Sequence, residues 1–265
     1  MRNVNDLTIV CIGAGNLATR ITLEMKRIGL HIAQIYSRTE ASAQLLGNQL
    51  GVPYSNDLNA LYEADIYLFA LKDNALKEVL DRMPFRKGIR LHTSGSMPIT
   101  VFAAYGTEPY GVIYPMQTFS KRKTVEWSEI PFFIEASDSE TLQTIIGLVN
   151  RFGAQYHIAD SEQRKLIHLA AVFACNFTNH MYAVAAEIAQ QAGLPFEVLM
   201  PLIKESVRKI ETLSPVEAQT GPAVRYDTNI IDKHIALLGS DSAYATLYRL
   251  ISESIHKTHI QSAKP

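Results

Sequence analysis

Thr8-Ile9-Val10-Cys11-Ile12-Gly13-Ala14-Gly15-Asn16-Leu17-Ala18 is the stretch from which the rest of the chain can be read. A short apolar run ends in Gly-x-Gly-x-x-Ala, and Leu17, Ile21, Met25 and Ile28 then recur at helical spacing up to Gly29. Strand, glycine turn and helix in that order make the pattern a dinucleotide-binding fingerprint. Gly13 permits the tight turn, Gly15 lets the backbone approach a pyrophosphate, and Ala18 lets helix and strand pack closely. Asn16 and Leu17 open the helix, where free backbone N–H groups suit a phosphate.

The next strand, residues 31–36, specifies which dinucleotide. An NAD-binding chain places Asp or Glu at its end, roughly twenty residues after the glycines, to accept from the ribose 2′-hydroxyl. Ser37-Arg38-Thr39 stands there instead, and the first carboxylate is Glu40. A planar, always-charged guanidinium between two hydroxyls suits a 2′-phosphate. NADP is the expected cofactor.

Working outward, residues 65–71 form a continuous apolar strand, followed by Lys72-Asp73-Asn74, with Asn74 expected to cap a helix over 75–83. A brief helix is expected over 56–62, further strands over 88–93, 111–115, 131–135 and 155–158, and a helix over 140–152. Alternating strands and helices imply an α/β fold, a Rossmann-type doubly wound parallel sheet that binds ligands beyond its C-terminal strand ends. Leu71, Lys72, the 92–96 segment with Ser94, and Tyr114 to Gln117 therefore lie where a nicotinamide would sit.

The 265 residues can bury a sizeable core in one large or two modest domains. A net charge of −1, with no basic block or basic-aromatic interleaving, makes nucleic acid an unexpected partner. The N-terminus lacks signal-peptide regions, and the longest apolar candidate for a membrane span, residues 166–177, carries His168 and Asn176. Cys11 and Cys175 have no metal-type spacing, so no metal site is expected and a reducing cytoplasm is.

From Ser161 onward strand signals give way to helical stretches over 162–192, 196–213, 230–238 and 243–258, with a loop over 214–227. The expected division is an NADP-binding domain, 1–159, and an all-helical C-terminal domain for substrate and dimerisation, 160–265. The helix over 162–192 is apolar almost all round, which suits a domain core or a subunit interface. Too few helices remain to cover it, so a homodimer is expected. At about 100° per residue, Lys165, His168, Val172, Asn176 and Asn179 share a stripe about 80° wide. Lys165, His168 and Asn176 are expected to converge on one pocket opposite Gly13 to Leu17 and Ser94.

The motifs His92-Thr93-Ser94-Gly95, Tyr114-Pro115-Met116-Gln117-Thr118-Phe119, residues 168–176 and Thr220-Gly221-Pro222-Ala223-Val224-Arg225-Tyr226-Asp227 follow the glycine turn and Ser37-Arg38 in order. Together they resemble a bacterial family of NADP-dependent oxidoreductases whose Rossmann domain precedes a helical domain of unassigned function. That family is similar in fold to pyrroline-5-carboxylate reductase, 6-phosphogluconate dehydrogenase and the deazaflavin-dependent NADP oxidoreductases. The resemblance implies a homodimer interlocked through the helical domains and names no substrate. Tyr114 stands where that family commonly has His, and Tyr226 where it commonly has Gly. Lys165-Leu166-Ile167-His168 is similar to the Lys-x-x-His of the 6-phosphogluconate dehydrogenase C-terminal domain, with Leu169 replacing the Asn that follows there.

The expected function is hydride transfer to or from a small carbonyl, imine or hydroxy compound. Such chemistry needs a fixed nicotinamide, a proton carrier and groups that orient the substrate. Lys165 or His168 is expected to carry the proton, Asn176 to orient, and Ser94 to stand near the nicotinamide. Arg225 and Asp227 either complete the pocket, in cis or across a dimer, or stabilise their own loop by an ion pair. The alternative is a catalytically silent NADP-binding sensor or interaction protein, which needs Gly15 and Arg38 but not the polar stripe. Reaction direction and a deazaflavin as second cofactor stay open.

Overall fold

The computed structural model describes residues 4–84 and 86–262. The chain divides into two compact units, residues 1–176 and 177–265.

The first unit contains β1 (Thr8–Ile12), α1 (Asn16–Arg27), β2 (His31–Tyr36), α2 (Glu40–Leu50), β3 (Tyr54–Ser55), β4 (Ile66–Phe69), α3 (Asp73–Arg82), β5 (Ile89–His92), β6 (Tyr110–Pro115), β7 (Phe132–Ala136), α4 (Ser139–Arg151), β8 (Tyr156–Ile158) and α5 (Ser161–Ala171). They build one eight-stranded sheet in the order β3-β2-β1-β4-β5-β6-β7-β8. The order reverses between β1 and β4, the crevice where such sheets bind nucleotides. β1 to β6 run parallel, as expected, but β7 is antiparallel to β6 and β8 parallel to β7. An antiparallel neighbour needs no crossover helix, and only a 3-10 turn at Trp127–Glu129 interrupts the connection from β6 to β7.

β1 is buried on both faces, with Ile9 and Cys11 in one apolar cluster and Val10 and Ile12 in another on the opposite side. Gly13 leaves the strand at φ +133°, and a Cβ there would lie 2.3 Å from the Ala70 carbonyl oxygen. No other residue fits that turn. Two local expectations need correction. The helix after β4 starts at Asp73, so Asn74 is not its cap; Lys72 takes the cap position, and Asp73 puts a carboxylate in the first turn, where the helix dipole favours it. The helix expected over 56–62 is only a 3-10 turn, Leu58–Ala60, capped by Asp57.

The change from strands to helices and the division into compact units are different boundaries. α5 lies beyond the last strand yet belongs to the sheet unit, because fully buried Arg164 fastens it there. The guanidinium pairs with the Glu135 carboxylate on β7 and donates to the Met97 carbonyl at 2.5 Å. Ser161 donates to Glu135 at 2.9 Å and accepts from the Ile99 amide at 3.0 Å. A π-helical turn, Val172–Phe177, follows α5.

The second unit contains α6 (Thr178–Gln191), α7 (Met200–Ile210), α8 (Pro215–Ala218), α9 (Pro222–Arg225), α10 (Thr228–Leu238) and α11 (Ala243–Ser262). The segment expected to be all loop, 214–227, thus carries α8, whose N-terminus Ser214 and Glu217 close as a capping box, and α9. α9, α10 and α11 pack on one another. Among the described residues of this unit, Ala223, Ile231 and Ala245 are the buried apolar side chains. Leu202, Leu213, Leu237 and Leu250 are exposed, and an apolar groove of about 320 Å³ runs past Met181, Ile188 and Ile251. Among the described residues no helix is long and apolar enough to cross a membrane, and no cluster of His, Cys, Asp or Glu could hold a metal ion.

Candidate active site

Two pockets open at the C-terminal ends of the parallel strands of the first unit. The first, about 510 Å³, brings Gly13 and Gly15 together with Ser37, Arg38 and Thr39 after β2 and with Leu71 and Lys72 after β4. Asn16 and Leu17 form the first turn of α1 beside it. A Cβ on Gly15 would meet nothing within 4 Å, so the backbone there is open to a ligand. No side chain caps α1, which leaves its first N–H groups for an anion. Arg82, 3.7 Å from Glu78, faces the same pocket; the sequence does not mark it, because it stands at the far end of α3, with α2, β3, β4 and the rest of α3 between it and Arg38. Burial pushes the Tyr36 phenol up, and both Arg82 and Arg38 oppose that rise. Two guanidinium groups and neighbouring hydroxyls fit a 2′-phosphate.

The second pocket, about 660 Å³, lies between the end of β6 and the turns that follow α5. Tyr114 and His168 meet in its wall: the phenol oxygen is 3.0 Å from His168 Nδ1, and the rings are edge to face. The His168 ring rests on Gly95, where a Cβ would come within 2.8 Å of it. Burial pushes the Tyr114 phenol up, so it stays protonated and can donate at neutral pH.

The loop carrying Gly95 is tightly built. Ser94 Oγ accepts from the amides of Ser96 at 3.1 Å and Met97 at 3.0 Å, and the Ser96 hydroxyl donates to Asp73. The Ser94 amide donates to His92 Nδ1 at 3.1 Å. Burial, aided by the nearby Arg164, pushes His92 down to about 3, so the ring is neutral and its proton sits on Nε2. On the far wall, Arg20 of α1 holds the 117–121 segment by donating to the carbonyls of Ser120 at 2.8 Å and Lys121 at 2.5 Å.

The structure brings His168, Val172 and Asn176 to this pocket but not Lys165, whose ammonium binds Glu162 at 2.6 Å with 40% of the side chain exposed. Ser94 does not line it either and serves instead to fold the 94–97 turn. The π turn begins only at Val172, so it does not account for Lys165, which lies in the regular part of α5 and turns to Glu162 on its own helix. Asp227 is engaged in capping α10, accepting from the Ile230 amide at 3.3 Å, and Arg225 ends α9. The sequence places Tyr114 at the strand edge where a nicotinamide sits but does not pair it with His168, and it does not single out Arg164. The Tyr-Pro-Met-Gln motif at a strand end was the available signal for Tyr114; nothing local marks Arg164.

A glycine turn opening on a cation-rich cleft, with a second pocket beside it, defines a dinucleotide-binding protein with room for a small molecule. Comparison with known proteins sharpens this. Residues 8–89 match the family described as NADP oxidoreductase, coenzyme F420-dependent, and residues 130–255 match a domain of unknown function, DUF2520. A crystal structure of a "putative NADP oxidoreductase" from Bacteroides fragilis is 46% identical, covering 96% of this chain and 99% of that one with a TM-score of 0.88. The chain belongs to this family of NADP-dependent oxidoreductases, in which the nucleotide-binding domain precedes the domain of unknown function. More distant structures share the fold. They include a 1-pyrroline-5-carboxylate reductase from Streptococcus pyogenes (14% identity, 96% and 99% coverage, TM-score 0.64). A reductive aminase from Aspergillus terreus in complex with NADPH and ethyl-5-oxohexanoate is another (15%, 97% and 94%, 0.69). A search among curated proteins finds no match.

Proposed function

We propose that the chain transfers a hydride between NADP(H) and a small carbonyl, imine or hydroxy compound held in the pocket of Tyr114, His168 and Asn176. The observation that carries this reading is the Tyr114–His168 pair resting on Gly95, at the strand ends where a nicotinamide belongs. NADP(H), when bound, supplies or accepts the hydride. Gly13, Gly15, Asn16 and Leu17 hold the pyrophosphate; Ser37, Arg38 and Thr39 hold the 2′-phosphate; Leu71 and Lys72 flank the nucleotide. Tyr114 and His168 form a proton relay across their shared hydrogen bond: one of the pair passes a proton to the substrate and the other resupplies it. Asn176 orients the substrate oxygen or nitrogen. Lys165, engaged with Glu162, takes no part.

The functional molecule is a homodimer. Leu166, Leu169 and Phe173 are more than half exposed, and a unit with so few buried apolar side chains cannot hold itself together by burial. Cys11 and Cys175 are free thiols, which supports a reducing, cytoplasmic setting.

The test is NADPH oxidation against small ketones, imines and their reduced counterparts. Turnover by the wild type that is lost in His168→Ala, with NADPH binding kept, is the expected result. Turnover unaffected by both His168→Ala and Tyr114→Phe would remove the pair from the reaction.

A further inference from the structure

We infer that the substrate is a neutral carbonyl or imine with an apolar body, and that carboxylate- or phosphate-bearing compounds are selected against. The inference rests on the oxidoreductase reading above. Among the described residues, no Asp, Glu, Lys or Arg side chain lines the second pocket. Its polar side chains are those of Tyr114, Gln117, Thr118, His168, Cys175 and Asn176, and the rest of the wall is apolar, with Met116, Phe119, Phe133 and Ile167 the large members. Its volume, about 660 Å³, is that of a small-molecule site with a few directed polar groups.

Lys121, Arg122 and Lys123, just beyond Phe119, are exposed and are not among the residues that line this pocket. Arg164 is buried against Glu135, Lys165 is bound to Glu162, and Arg20 is bound to the Ser120 and Lys121 carbonyls. Among the described lining residues His168 is the one imidazole, and its Nδ1 is engaged with the Tyr114 hydroxyl. An anion entering this wall would give up hydration without gaining a countercharge from a lining side chain. The nucleotide pocket is the opposite case: where an anion is to be held, this fold presents Arg38, Lys72 and Arg82. Recognition in the second pocket is left to one or two hydrogen bonds at the reacting carbonyl and to apolar area around the rest of the molecule.

The test uses the full chain saturated with NADP+ at pH 8, titrated calorimetrically with ethyl 2-oxo-4-phenylbutanoate and with 2-oxo-4-phenylbutanoate. The two share one skeleton and differ by a charge beside the carbonyl. The ester should bind at least tenfold more tightly. Thr118→Arg, which places a cation in the wall, should raise affinity for the carboxylate at least tenfold, while unchanged NADP+ binding reports an intact fold. Equal or tighter binding of the carboxylate to the wild type overturns the inference, as does binding of neither compound. These outcomes are distinct from failure of the parent reading. If NADP+ itself does not bind, the oxidoreductase reading falls and takes this inference with it. If the ester binds but is not reduced when NADPH replaces NADP+, only the catalytic part of that reading falls.

Discussion

The two pockets of the sheet unit sit at the same strand ends and are built in opposite ways. The nucleotide pocket is lined by glycines, hydroxyls and three cations, most of them contributed by turns that directly follow strands. The second pocket has no Asp, Glu, Lys or Arg among the described residues that line it and is assembled from β6, β7, α5 and the turns around it. In the first, charge does the binding, and short-range backbone geometry places it. The second offers shape and a single Tyr–His pair, and long-range anchors place them. The difference predicts that the two sites fail separately.

The largest effect is expected at the anchor. Arg164→Ala would leave Glu135 and the Met97 carbonyl without their buried partner and should destabilise the sheet unit by about 3–5 kcal/mol. Trp127, the single tryptophan, is buried in that unit, so its fluorescence during urea unfolding reads the loss there. At low temperature the folded fraction should still bind NADPH while substrate turnover is depressed. An unchanged unfolding midpoint would mean that Arg164 does not fasten α5.

Next comes the Tyr–His pair. His168→Ala should lower turnover on the order of a hundredfold or more and leave NADPH affinity within about a factor of two. Parallel loss of both would erase the separation between the pockets. On the nucleotide side, Arg38→Ala should weaken NADPH by about ten- to a hundredfold, corresponding to about 1.5–3 kcal/mol for a lost charged contact. NADH, lacking the phosphate, should be barely affected; fluorescence titration of both cofactors checks this. Equal losses for the two would show that Arg38 does not read the 2′-phosphate.

The smallest effect belongs to His92, buried beneath the loop that carries Gly95. Its folded value of about 3 lies below the ordinary 6.5, so the unfolded chain binds more protons between those values. The stabilisation from keeping it neutral is complete above pH 6.5 and declines as pH falls through that window toward 3, with a slope of at most about 1.4 kcal/mol per pH unit. His92→Gln should show a shallower fall in urea midpoint than the wild type between pH 6.5 and 4.5. Identical slopes would remove His92 as the cause.

The sequence by itself determined the glycine turn, Ser37-Arg38-Thr39, the alternation of strands and helices through β6, and the shift to helix after Ala159. Each is a local property: hydrophobic period, a positive-φ glycine, or three adjacent polar residues at a strand end, needing neighbours only a few positions away. The order Lys165, His168, Asn176 along a helix was also legible, but not which of them share a pocket. Only the tertiary structure decided that β7 and β8 run against the sheet, because antiparallel pairing depends on where a loop folds back rather than on the strand's own residues. It likewise joined Tyr114 to His168 across 54 positions, turned Lys165 to Glu162, buried Arg164 against Glu135, and spread the helix into a π turn at Val172. Those outcomes depend on which distant polar groups are satisfied together when the core closes, and no window of sequence contains that condition.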